Sequence, residues 1–503
     1  MSKLPTYRLT QLGESTVALE CSNGQVCVTG DYAEALRFLV HSAGNFPMGV
    51  PRVVWSLPEL LTCIKSLLPA SAVADLEGEH HRATWETQFA RYRLYHQPGK
   101  FLGIHAGGYG EETTFYELDQ FFPEDQDITS IQDVDALTDE LIAAFASLGI
   151  DKIDNLKSPV AVIEGSSILD DVYRSLPSPD DIPGGCMEYA VLCDAWGAWT
   201  SAYQVGYWPE GEAHGFDMTS CYPSIAIRLL SLEGAEYRHS KKMLAGAVYG
   251  FLKGTLHINP AHPFAFCSPI VAEADGLVAN YVGKVAGFFT LEQVRFIEGN
   301  EMGTFTLKDG WFVFPHSGIR PLEAVMTSFY KQRVVAGDLL SQIIKRVIDG
   351  ILGRLGEYHQ NEPTEFTNPV YHAMLRTGAS LRVGQFLIQN EIRQDELIHV
   401  NTDGFHATRQ LKLPARAPIG KWRSEESEPL IVLSPDVVLE GDRCEPLLSQ
   451  IRADKKALSY ELGGKTINLM SLAAEQDRYF DKYPMSGGEL LRKRFVSEPI
   501  LLC

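Results

Sequence analysis

The segment Asp217-Met218-Thr219-Ser220-Cys221-Tyr222-Pro223-Ser224-Ile225 constrains this chain more than any other feature. An acid closes an apolar approach and is followed by hydroxyls, an aromatic ring and a proline-initiated segment. A second acid has a comparable setting. Residues 397–408, Leu-Ile-His-Val-Asn-Thr-Asp-Gly-Phe-His-Ala-Thr, alternate apolar and polar positions on both sides of Asp403-Gly404, a strong short-range signal for a β-hairpin. The pattern predicts Asn401, Thr402 and Asp403 at the hairpin tip, so Asp217 lies at a strand end and Asp403 at a turn.

Between the two acids lies the clearest helical stretch, 321–356, divided by the turn Ala336-Gly337-Asp338. Its second arm repeats apolar residues at spacings of three and four, from Leu339-Leu340 to Leu355. Two helices joined by so short a turn run antiparallel, so Arg333 before it and Lys345 after it can face the same space. Upstream, 16–19 and 53–55 read as strands and 32–41 and 57–68 as amphipathic helices, an α/β pattern. The Pro/Asp/Gly-rich passage 176–185 reads as a linker, and 441–503 as mostly helical with a basic cluster at Arg492-Lys493-Arg494.

A chain of 503 residues has room for several domains, and its 45% apolar and 21% charged residues are those of a globular protein. No apolar run approaches the roughly 18–20 residues that span a bilayer, and the N-terminus lacks a secretory apolar region. Nine cysteines without a Cys-x-x-Cys pair point to reduced thiols in a cytoplasmic setting, and the lack of a spanning run to no membrane partner. The net charge of −20 argues against a polyanionic partner until its distribution is considered. Residues 111–185 hold 18 Asp+Glu against 3 Lys+Arg, so this block, read as a solvated face, carries most of the excess. Residues 320–356 carry Arg320, Lys331, Arg333, Lys345, Arg346 and Arg354 against three acids. Local potential rather than total charge steers a polyanion.

In order and content these elements resemble family B DNA polymerases, closest to the protein-primed viral and plasmid branch. Asp217–Ile225 is similar to motif A, D-x-x-S-L-Y-P-S-I. Lys345 to Gly353 resembles motif B, K-x-x-x-N-S-x-Y-G, with Asp349, Gly350 and Leu352 replacing Asn, Ser and Tyr. Residues 399–404 resemble motif C, Y-x-D-T-D-S, with Asn401 for the first Asp and Gly404 for Ser. Ile182-Pro183-Gly184-Gly185 is similar to Y-x-G-G, and Gly420-Lys421-Trp422 with Glu425 to L-G-x-W-x-x-E, whereas the K-x-Y element is absent at 436–438. The likeness covers about 180–440.

The resemblance implies an α+β right-hand polymerase. It implies an exonuclease-like α/β domain over 1–180, a palm over 181–320 and 357–430, fingers over 321–356 and a thumb over 431–503. Asp217 and Asp403 would be the catalytic metal ligands for two Mg²⁺, with Mn²⁺ as substitute. Two-metal nucleotidyl transfer needs one ion on the primer hydroxyl and one on the triphosphate. Arg333 and Lys345 would contact the triphosphate, Tyr222 would screen the sugar, and backbone N–H groups of 218–222, including Ser220 and Cys221, would cradle phosphate. Gly184, Gly185, Gly353 and Lys421 would contact DNA. The implied partners are template-primer DNA, dNTP and a terminal protein or other replication protein. Proofreading is not expected. Residues 16–21 lack the D-x-E of an exonuclease first strand, and Asp75-Leu76-Glu77 has a helical, surface context.

Overall fold

The computed structural model describes residues 3–468 apart from 14–15, 43–49, 79–80, 87–90, 98–99, 108–110, 123–127, 151, 165–171, 173–175, 178–180, 195–198, 205, 275–276, 281, 360–361, 365, 436, 454–458 and 463–464. The basic cluster Arg492-Lys493-Arg494 lies outside the described residues. The chain divides into two compact units, Met1–Asp171 with Ser328–Ile351, and Val172–Thr327 with Leu352–Cys503.

The first unit is built on an eight-stranded mixed sheet. Its order is Val26–Thr29, Thr16–Cys21, Thr6–Gly13, Arg52–Val54, Glu111–Glu117, Phe101–Gly107, Arg91–Gln97, Arg82–Glu86. Arg52–Val54 runs parallel to both its neighbours and the other pairs are antiparallel. The first strand is therefore Thr6–Gly13, and residues 16–21 form the second; neither carries a D-x-E. Along Thr16–Cys21 burial alternates with the pleat, so Val17, Leu19 and Cys21 face the core. They meet Leu36 and Leu39 of the helix Tyr32–His41 and Leu60 and Ile64 of the helix Leu57–Leu67. Arg52 ties these layers together. It donates to the carbonyls of Leu39 and Val40 at the C-terminal end of the first helix, and its guanidinium lies 5.7 Å from the Tyr7 ring centroid. A cation there satisfies carbonyls the helix leaves open. Asp75 and Glu77 sit exposed on the helix Ala70–Glu77, as their context predicts.

The predicted helical pair forms as Glu323–Val335 and Asp338–Arg354. Gly350 is where the second helix meets the short helix Pro159–Val162: a Cβ at 350 would lie 1.9 Å from Val160 Cγ2.

The second unit contains antiparallel sheets. Five strands run Trp422–Ser424, His214–Met218, Gly404–Ala407, Leu397–Asn401, Thr200–Ala202. A four-stranded sheet runs Glu236–Ser240, Gly303–Phe314, Tyr249–Ile258, Gly283–Thr290. The helix Pro369–Gln389, begun by Pro369 and capped by the Asn368 side chain on the Tyr371 N–H, sends Val383 and Leu387 into a core with Phe216, Phe289, Phe312 and Phe405. Two sequence expectations change here. Gly184 and Gly185 open the helix Gly184–Asp194 rather than continuing a linker. The C-terminal region, as far as described, holds one α-helix, Glu445–Ala453, followed by a hairpin, Ser459–Leu462 with Lys465–Asn468.

Gly350→Ala sets a helix-propensity gain of about 1 kcal/mol against an overpacking cost of about 1–3 kcal/mol. Val160 is buried and cannot step aside, so the clash wins. Denaturant unfolding is expected to show a destabilised first unit in Gly350→Ala and partial recovery in Gly350→Ala/Val160→Ala.

Candidate active site

The five-stranded sheet of the second unit puts the two acids together through register. Phe216 stands opposite Phe405 and Asp217 opposite Gly404. Alternation then turns Phe216 and Met218 inward and leaves Asp217, one residue between them, on the other face. Phe216 and Phe405 lie 5.1 Å apart by ring centroids, and Phe405 and Trp422 lie 5.6 Å apart, anchoring the strands from below.

The hairpin is where the sequence places it, with its turn inside the predicted tip. Asn401 pairs with Gly404, so the two-residue turn is Thr402-Asp403, with Thr402 in the left-handed region at φ 58°. Asp403 leans over the neighbouring strand, and its carbonyl accepts the Met218 N–H at 3.2 Å. Gly404 has a steric reason: a Cβ there would sit 3.0 Å from the Phe216 carbonyl oxygen and 3.7 Å from Asp217 Oδ1. Asn401, where the resemblance puts a carboxylate, is exposed at the strand end.

The turn after Asp217 is held on both sides. Thr219 donates its N–H to the Lys421 carbonyl at 3.0 Å, and Gly420 donates back to the Thr219 carbonyl at 2.7 Å. Ser220 takes φ 50° and opens the short helix Cys221–Ala226. The phosphate cradle expected from 218–222 is thus smaller, because the N–H groups of Met218 and Thr219 already serve the sheet and the 420–421 loop. Cys221 is buried, and burial pushes its thiol up to about 12, with Asp403 adding to the rise, so only its backbone is available to a ligand. Burial raises the Tyr222 phenol well above its ordinary value, and Asp403 raises it further. The ring is half-buried beside the acids. Lys421 is exposed, its carbonyl engaged by Thr219.

Arg333 and Lys345 belong to the first unit, where they share one feature. Burial raises the Asp349 carboxyl, and Lys345 and then Arg333 oppose that rise, which puts both cations within electrostatic reach of it. Lys345 and Asp349 are four residues apart on one helix face. Gly353 faces open space near the end of that helix, and Gly185 presses on the Trp311 ring, where a Cβ would come within 3.1 Å.

Several side chains that contact the motif A segment or act on Tyr222 carry no sequence signal. Arg423, directly opposite Asp217, donates to its Oδ2 from Nε at 2.9 Å and reaches Glu425 Oε1 at 3.2 Å. Arg382 donates to Ser224 Oγ and to the Ser224 carbonyl at 3.3 Å, bracing the Tyr222 helix from below. Asp194 Oδ2 holds His372 Nδ1 at 2.9 Å and Arg376 at 3.3 Å, and both Arg376 and Asp194 contribute to the field at Tyr222. None of these has a neighbour along the chain that would mark it; each is found only through pairing or helix packing.

Among the described residues no group of three or more His, Cys, Asp or Glu could hold a metal by itself. Two carboxylates, one on a strand and one in the adjoining hairpin turn, still suit Mg²⁺, which keeps waters and takes remaining ligands from substrate phosphates. Asp217 and Asp403 therefore fit an ion that arrives with a nucleotide.

No protein-family model matches this chain and no curated protein matches it. Solved structures do, and they define a polymerase-like fold. The chain is similar to phi29 DNA polymerase in an orthorhombic crystal form, with TM-score 0.55, 11% identity, and coverage of 92% of this chain and 89% of that one. The phi29 polymerase complexed with primer-template DNA and incoming nucleotide substrates gives TM-score 0.54 at 10% identity, covering 88% and 87%. The same polymerase complexed with single-stranded DNA gives TM-score 0.54 at 10% identity, covering 92% and 89%. Among the described residues no helix is long and apolar enough to cross a membrane.

One group near the site makes stability depend on pH. His406 is 17% exposed at its side chain, and burial lowers its pKa to about 4. Its Nδ1 is buried without a partner, and Glu440, 3.5 Å from Nε2, is too solvated to offset the burial. The unfolded chain takes up this proton near pH 6.5 and the folded one only near 4. The stabilisation is complete above about pH 6.5 and is lost as pH falls towards 4, by up to about 3 kcal/mol. Denaturation midpoints at pH 7.5 and 4.5 should fall more steeply in wild type than in His406→Gln.

Proposed function

We propose that this chain is a template-dependent DNA polymerase that adds dNTPs to a primer 3′-hydroxyl. The observation that carries the reading is the cross-strand register that sets Asp217 beside the Asp403 turn within a polymerase-like fold. On this reading the five-stranded sheet is the palm, the pair Glu323–Val335 and Asp338–Arg354 the fingers, and the C-terminal region the thumb.

Asp217 and Asp403 would hold divalent metal, which when bound supplies charge neutralisation for the triphosphate and acidifies the primer hydroxyl. The rest falls to positioning and fixed charge, which dominate phosphoryl-transfer catalysis. The primer oxygen forms a bond to the α-phosphorus and pyrophosphate leaves. Lys345 and Arg333 would take up the triphosphate's negative charge, exchanging their interaction with Asp349 for it. Tyr222, rigidly backed by the Arg382-braced helix, would stack beneath the deoxyribose and exclude a 2′-hydroxyl. Neither leading strand of the first unit carries a D-x-E, so we infer an exonuclease-like domain without proofreading.

A second reading is favoured by Asn401 and by the Arg423 ion pair on Asp217: a polymerase-fold protein that binds DNA without synthesis. The lack of a motif C carboxylate and a resident cation both weaken metal binding, whereas a pure binder has no need of Tyr222. Protein-primed synthesis is a further form of the first reading.

Extension of a labelled primer with Mg²⁺ or Mn²⁺ separates them. The polymerase reading expects extension that falls by about a thousandfold or more in Asp217→Ala and Asp403→Ala, and no shortening of a mismatched primer. It also expects Tyr222→Val to raise ribonucleotide incorporation about tenfold or more relative to dNTP. DNA binding without extension in either metal would establish the second reading. Label transferred to protein, or product made without primer, would identify protein-primed or primer-independent initiation.

A further inference from the structure

The acid that is to hold metal already holds a cation. Arg423 Nε and Nη2 each lie 2.9 Å from Asp217 Oδ2. The pairing is built in rather than incidental, because residues 217 and 423 stand directly opposite each other on antiparallel strands, where side chains share a face. Arg423 also has a second place to go: its Nη2 is 3.2 Å from Glu425 Oε1. Glu425 belongs to a recess of about 190 Å³ lined also by Glu426, Glu428, Glu440 and His406, so an acidic environment lies two residues further along the strands from the Asp217–Arg423 pair. The strand end before the Asp403 turn carries an exposed amide, Asn401, rather than a carboxylate. The site thus has one negative charge fewer and one positive charge more than two metals would favour.

We propose that Arg423 is a resident counter-cation that competes with divalent metal for Asp217 and transfers to Glu425 when the ion binds. This rests on Asp217 being a metal ligand. Arg423 holds Oδ2 while Asp217 Oδ1 faces Gly404, so a guanidinium and a divalent ion on this one carboxylate repel each other and metal entry weakens the Arg423 contact. Arg423 here is a positioning residue: it keeps Asp217 in place before metal and nucleotide arrive and makes the empty site a poor metal binder. The charge that accompanies a nucleotide's phosphates then tips the exchange.

The test is Mn²⁺ binding to the full-length protein without nucleotide or DNA, read as free Mn²⁺ by electron paramagnetic resonance. Arg423→Gln should tighten binding by about fivefold, the order of one exposed ion pair. Arg423→Lys, which keeps the charge, should stay near wild type, and Glu425→Gln, which removes the alternative partner, should bind more weakly. Asp217→Ala should abolish the site. Unchanged or weaker binding in Arg423→Gln, with Asp217→Ala still abolishing it, overturns the counter-cation proposal alone. Mn²⁺ binding that survives Asp217→Ala overturns the metal-site reading and the proposal with it.

Discussion

The candidate site depends on one antiparallel pairing, that of His214–Met218 with Gly404–Ala407. Because side chains alternate along a strand, a slip of one residue would bury Asp217 and expose Phe216. The register is held by the packed rings of Phe216, Phe405 and Trp422 on the inner face and by the Met218 N–H on the Asp403 carbonyl at the outer end. Burial of those rings contributes far more than any polar contact of the site. The apolar side of the sheet thus sets the geometry that the charged side uses.

Charge in both units is arranged as acid–cation sets. In the second unit Arg423 neutralises Asp217 and touches Glu425, while burial raises the Glu425 carboxyl and Arg423 opposes that rise. In the first unit Lys345 and Arg333 offset Asp349. On the proposed reading each set would keep ligand-binding groups oriented without a ligand, at the expense of affinity, since a ligand would replace an existing partner. The departures Asp349, Asn401 and Gly404 acquire physical content in this light. Two alter local charge, and the third makes room for a close strand approach.

Elements with strong periodicity were legible in the chain. The helices 32–41 and 57–67, the hairpin around 402–403 and the helical pair on either side of Gly337 follow from spacing and turn residues alone. The acids at 217 and 403 were legible because each follows an apolar strand. The turn Thr402-Asp403 falls within the predicted tip of 401–403, and pairing of Asn401 with Gly404 draws both flanking residues into the strands. Gly184 and Gly185 suggested a linker because glycine favours turns locally, although both open a helix in which Gly185 packs against Trp311. Arg382, Arg423 and the Asp194–His372–Arg376 set were invisible, since their partners lie more than 150 residues away and no local pattern encodes a pairing of that range.

The central claim is that the strand register makes Asp217 and Asp403 a joint ligand set. Anomalous diffraction from crystals grown with Mn²⁺, primer-template DNA and a non-hydrolysable dNTP addresses it directly. The account predicts Mn²⁺ contacting both carboxylates and the triphosphate, with the Arg423 guanidinium moved onto Glu425. Nucleotide bound without Mn²⁺ at these carboxylates, or Mn²⁺ held by only one of them, would contradict it.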